Sequence, residues 1–194
     1  MAYIETGVNQ PGLVELLFYK GSTGKPLANL VHALLHGPSG LSRGERELIA
    51  AYVSDLNECD FCRRVHTAAA DKQMEEGAAA VSCAIAGTDH SVLNPKMKTL
   101  LNIAAKVQRS GKAVTASDVE VAKNNGAGEE DIHDTVLIAA AFCMYNRYID
   151  GLGAKSADPQ EVSVLGERFA KKGYKYPPLF LRRFVVWMMN RKQK

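Results

Sequence analysis

The sequence predicts an all-α fold, a helical bundle of roughly eight helices, on three observations. Apolar residues recur at helical spacing, as in Leu48, Ile49, Tyr52, Val53 and Leu56. Alanine-rich stretches dominate, and no long alternating β-branched segment occurs. Glycine and proline mark short links between periodic segments, the connection pattern of a helical bundle.

Each element has its own signal. Residues 1–24 read as an irregular arm with a short helix near 13–19. "KPLANLVHALLHG" reads as a helix over 26–36, with Pro26 near its first turn and Gly37 as its stop. In "LSRGERELIAAYVSDLN", Ser42 and Glu45 form a capping box, so a helix should begin near Arg43. A further helix should start around Cys59 or Asp60 and run to about Glu76, ended by Gly77. "AAAVSCAIAG" is a short helix, and His90 falls in the connection after it. Pro95 opens a helix through Leu100, Leu101, Ala104, Ala105 and Val107, closed by Gly111. Thr115 with Asp118 marks another start, and Gly126 and Gly128 a stop. A long helix should span about 129–151. "DPQEVSVLGERFAKK" supplies one more, and Pro177–Pro178 separates it from a last helix over 179–190.

A chain of 194 residues is expected to form one all-helical domain: an arm over 1–25, a core over 26–152 and a C-terminal helical extension over 153–194. Such a length buries a core without disulfide or metal support. A net charge of +3 argues against a nucleic-acid partner. The start, "MAYIETGVNQPG", has neither the basic nor the apolar region of a secretory signal, and the longest apolar run, 136–144, is far short of a bilayer span. Four cysteines without a secretory signal suggest a reducing compartment, so a cytoplasmic location is expected. The basic, aromatic end "PPLFLRRFVVWMMNRKQK" is expected to dock on the core or a neighbouring subunit rather than on a membrane.

The chemistry concentrates in "ERELIAAYVSDLNECDFCRRVH", residues 45–66. Cys59, Cys62 and His66 stand at i, i+3 and i+7, so one helix face would carry all three. A tight turn at Asn57–Glu58 would fold the preceding helix back and bring Glu47 within reach of His66. A free thiol has a pKa of about 8.5, which a CxxC motif or a helix N-terminus lowers. A histidine oriented by a carboxylate is the base that activates such a nucleophile. The thiolate of Cys62 would attack a peroxide oxygen to give a sulfenic acid, and Cys59 would condense with it to a disulfide. An external dithiol would then restore the pair.

Other readings stay open on the residues alone. A CxxC pair also binds metal or simply packs. Structural zinc needs four ligands, and Cys59, Cys62 and His66 offer three. A c-type haem would need His directly after the second Cys, where this chain has Arg63. A thioredoxin fold needs strands that are missing here. Cys83 and Cys143 lie in apolar surroundings and read as core residues. His32 and His36, at i, i+4, read as a packed or surface pair, since no further ligand accompanies them. His90 and His133 carry no signal, and Asn146 and Arg147 read as capping or pairing locally.

The pattern Glu47-x11-Cys59-x2-Cys62-x3-His66 resembles the signature of the alkylhydroperoxidase D family, within the carboxymuconolactone decarboxylase superfamily. "LLHGPSGLSRGERELIAAYVS" and "FCMYNRYIDGLG" resemble its peroxidase-related members, and the similarity runs from about Pro26 to the C-terminus. The resemblance implies an alkylhydroperoxidase D-like all-α fold, a homo-oligomer, and thiol-dependent reduction of hydroperoxides without a cofactor or a resident metal. It implies Cys62 as the residue that becomes a sulfenic acid, Cys59 as its disulfide partner, and Glu47 and His66 as a proton relay. The best-described members have His immediately before the second Cys. This chain has Phe61, which makes the pocket more apolar. The rivals are a lyase or isomerase of the same superfamily using Glu47 and His66 as acid and base, and a redox-sensing or metal-binding scaffold.

Overall fold

The computed structural model describes residues 3–6, 13–75, 77–87, 92–154 and 158–178. Among them are nine α-helices, one 3₁₀ turn at Gly111–Ala113 and no strand. The helices are α1 (Leu13–Tyr19), α2 (Gly21–His36), α3 (Arg43–Leu56), α4 (Asp60–Asp71) and α5 (Gly77–Ala86), then α6 (Pro95–Arg109), α7 (Ala116–Asn124), α8 (Glu129–Gly151) and α9 (Pro159–Lys172). The helix expected over 179–190, and the connection carrying His90, lie outside the described residues.

α3 is the hub. Leu48, Ile49, Ala50, Ala51 and Val53 are all fully buried, so the helix is covered on nearly every side, by α4, α5, α6 and α8. Its start is fixed by the expected capping box: Glu45 N–H donates to Ser42 Oγ at 3.2 Å, and Ser42 N–H donates to Glu45 Oε2 at 2.8 Å. Buried Arg46 donates from Nη1 to the carbonyls of Leu34 (2.9 Å) and Gly37 (3.0 Å). A cation thereby satisfies the unpaired end of α2.

Thr115 acts as the N-cap expected of it, Asn94 caps the helix that Pro95 opens, Asp158 caps α9, and α8 spans the residues expected for the long helix. Two boundaries differ. α2 begins at Gly21, not Pro26, so the arm–core boundary at 25/26 falls inside a helix. Gly24 is the reason: a Cβ there would sit 1.8 Å from the Leu17 carbonyl oxygen, so the bare backbone packs directly on α1. The second difference is Gly77, which opens α5 instead of stopping α4. α4 ends earlier, at Asp71, where the N–H groups of Gln73 and Met74 both turn back to the Ala70 carbonyl.

Two features position the site. The turn from α3 to α4 passes through Glu58 in the left-handed region (φ 59°) and is pinned from both sides. Gln108 of α6 donates to Leu56 O and Asn57 Oδ1, and Asn57 Nδ2 donates to Asn146 Oδ1 of α8 at 2.9 Å. α9 lies against α4 with Gly166 on Ala68, which delivers the segment after α9 to the open side of α4. No helix among the described residues is long and apolar enough to cross a membrane.

Gly166→Ala would place a methyl 2.6 Å from Ala68 Cβ and 2.9 Å from the Ala68 carbonyl carbon. Overpacking of this kind costs roughly 1–3 kcal/mol, more than the helix preference of Ala over Gly returns. The urea midpoint of Gly166→Ala should fall. An unchanged or raised midpoint would mean that α9 is not seated on α4 in this way.

Candidate functional site

Glu47, Cys62 and His66 converge, with Cys59 at their edge. Glu47, in the second turn of α3, is fully buried, and its Oε2 lies 2.7 Å from His66 Nδ1. A carboxylate only accepts, so the shared proton sits on Nδ1 and the basic nitrogen of the imidazole is Nε2. The turn expected at Asn57–Glu58 does lay α3 back along α4, which is what closes the distance.

The structure adds a residue that no local spacing announces. Tyr174, just after α9, donates its hydroxyl to Glu47 Oε1 at 2.7 Å and lies 3.3 Å from His66 Nδ1. Burial, then the Glu47 carboxylate, holds its phenol pKa well above the ordinary value, so it stays a donor. Gly173, at φ 65°, turns the chain inward ahead of it. Phe169 stacks on the Tyr174 ring at 4.4 Å, and Phe142 meets the His66 ring edge-on at 4.7 Å.

The cysteines differ in setting. Cys62 is buried in the first turn of α4, one turn before His66 on the same face, and both line one cavity. Its thiol pKa is raised well above the ordinary value, first by hydrogen bonding with Cys59 and then by burial. Asn146 opposes this by hydrogen bonding to the same sulfur. Cys59 corrects the expectation that one helix carries all three residues. It is the N-cap of α4, outside the helix proper, and donates its thiol to Asp150 Oδ1 of α8 at 3.3 Å. Both sulfurs are free thiols.

Asn146 does not cap locally as expected. It is buried, donating to Ser54 Oγ at 3.1 Å while accepting from Asn57. Arg147 does pair locally, with Cys143 O. Phe142, Asn146 and Asp150 share a stripe of α8 at i, i+4 and i+8, and a buried-looking Asn on that apolar stripe was the available signal. Cys83 and Cys143 are half-buried rather than in the core, and Cys143 packs against it. His32 and His36 stack at 5.4 Å beneath the Tyr174 segment, and His32 Nδ1 accepts from Tyr174 N–H at 3.2 Å. Among the described residues no group of three His, Cys, Asp or Glu side chains is placed to hold a metal ion.

Tyr174→Phe removes a donor from a buried carboxylate without changing the ring. Leaving such an acceptor short costs about 1–3 kcal/mol. Chemical denaturation should register that loss, and a variant as stable as the parent would show that Tyr174 does not hold Glu47.

Residues 23–86, which contain Glu47, Cys59, Cys62 and His66, match the family model for the carboxymuconolactone decarboxylase family. An uncharacterized peroxidase-related protein from Ralstonia eutropha JMP134, described as an alkylhydroperoxidase AhpD core, superposes with a TM-score of 0.70 at 25% identity, over 79% of this chain and 80% of that one. A second such protein, from Silicibacter sp. TM1040, gives a TM-score of 0.68 at 25% identity over 78% of each chain. No curated protein matches the chain. The chain thus shares an alkylhydroperoxidase D-like all-α fold with these peroxidase-related proteins, and its residues 23–86 are similar to the carboxymuconolactone decarboxylase family.

Proposed function

We propose that the protein is a thiol peroxidase that reduces an organic hydroperoxide at Cys62. The observation that carries this reading is one cavity lined by both the Cys62 thiol and the His66 imidazole, whose far nitrogen is tied to buried Glu47. A raised thiol pKa means that Cys62 rests as the thiol and needs a base at the moment of attack.

Nε2 of His66 takes the Cys62 proton, and Glu47 stabilises the imidazolium that forms. The thiolate attacks the outer peroxide oxygen, forming S–O as O–O breaks. The alkoxide leaves as the alcohol by taking the proton back from His66. Cys62 is then a sulfenic acid. Cys59 attacks the Cys62 sulfur, S–S forms, and hydroxide departs as water with the proton that Cys59 releases. Asp150, which accepts the Cys59 S–H, guides that proton out. Two electrons from the cysteine pair have reduced one peroxide to alcohol and water. An external dithiol returns them by exchange.

The N-terminal turn of α4 supports the same assignment, because its unpaired N–H groups favour negative charge on Cys62 as it reacts. Phe61 is buried in the core cluster, so this thiol has an apolar neighbour in the position before it.

Free-thiol counting around one equivalent of cumene hydroperoxide tests the proposal. The parent should lose two thiols and regain them with a dithiol. Cys59→Ser should stop at a sulfenate that dimedone traps, and Cys62→Ser should not react quickly. If Cys62→Ser consumes peroxide at the parental rate, or both motif thiols stay inert, the proposal fails and acid–base chemistry at Glu47 and His66 takes its place.

A further inference from the structure

We infer that the substrate carries a carboxylate: the cavity takes an apolar organic hydroperoxide whose acid group sits between Arg168 and Lys175. This rests on the peroxidase reading and specifies its substrate class. The cavity has two unlike ends. At the buried end are Cys62 and His66, 2% and 4% exposed. At the solvent end are Arg168 of α9 and Lys175, both exposed and both lining the same cavity. The wall between them is aliphatic and aromatic, with Leu17, Val31, Phe142, Ile149 and Phe169 among its residues.

Three features make this a recognition site rather than a gap in packing. Among the described residues no Asp or Glu lines the cavity, so none of them neutralises the two cations in its wall. Neither cation has an ion-pair partner among the described residues. An apolar wall favours a ligand in proportion to the apolar area it covers, which hydrogen peroxide cannot use and a hydrocarbon chain can. The reacting O–O bond must lie at the buried end, against Cys62. A chain that also satisfies the open end therefore carries its negative charge there, where guanidinium and ammonium donors await it. The orientation follows: carboxylate outward, peroxide inward.

The test separates binding from redox chemistry by using ligands without a peroxide. Decanoate and decanol are titrated calorimetrically into the reduced parent, into Arg168→Gln/Lys175→Gln, and into Val31→Phe, which narrows the wall but leaves the cations. The parent should bind decanoate about fivefold or more tightly than decanol, the size expected of exposed charge pairs. In the double variant the two ligands should bind alike, and in Val31→Phe both should weaken together. Equal binding of acid and alcohol by the parent, no binding of either, or a preference that survives loss of both cations would each overturn the inference. Selective decanoate binding with thiols inert to cumene hydroperoxide would instead overturn the peroxidase reading and leave the anion site standing. Peroxide-reactive thiols without that selectivity would do the reverse.

Discussion

A carboxylate with no access to water organises this protein. Glu47 is fully buried, and an ion in that position is tolerated only when its oxygens are met by donors. His66 meets one and Tyr174 the other. Those two residues come from α4 and from the segment after α9, so satisfying one side chain of α3 fixes three parts of the chain against each other. Desolvation offsets much of the attraction, so the cluster contributes less to net stability than to geometry. What it secures is the imidazole tautomer, with Nδ1 committed to Glu47 and Nε2 free to accept a proton.

The cysteine pair takes its asymmetry from the same framework. Cys62 lies on the cavity within the first turn of α4, and Cys59 lies just outside the helix, against Asp150. An apolar, buried setting disfavours a standing thiolate, so the proposed reaction needs an organised base at the moment of attack. Asn57, Gln108, Asn146 and Ser54 pin the turn that presents both sulfurs. The proposed chemistry and the packing therefore use the same residues.

Much of this was legible in the sequence, for local reasons. Capping boxes at Ser42 and Thr115, Pro95 after Asn94, and the apolar period of α3 are short-range signals, and the helices begin where those signals lie. The Glu47, Cys59, Cys62 and His66 set was readable because all four fall within one helix–turn–helix. Gly77 misled because its role is contact and not termination, and a missing side chain looks the same in sequence whichever purpose it serves. Tyr174 was invisible for a different reason. It lies more than a hundred residues from its partners, and its selection is a tertiary event set by α9 lying on α4. Asp150 was hidden likewise, since it lies 91 residues from its partner Cys59.

The central claim is that Glu47, through His66, supplies the base that Cys62 needs. The most direct measurement is the pH profile of sulfenate formation at Cys62, trapped in a Cys59→Ser background, with and without Glu47→Gln. General-base assistance is commonly worth roughly 10²–10⁴ in rate. Glu47→Gln should therefore lose on the order of a hundredfold near neutral pH and recover toward the parental rate as rising pH ionises the thiol unaided. Equal rates near neutral pH would contradict the claim. A deficit that persists undiminished at high pH would contradict it too, since it would mark Glu47 as a packing residue and not part of a proton relay.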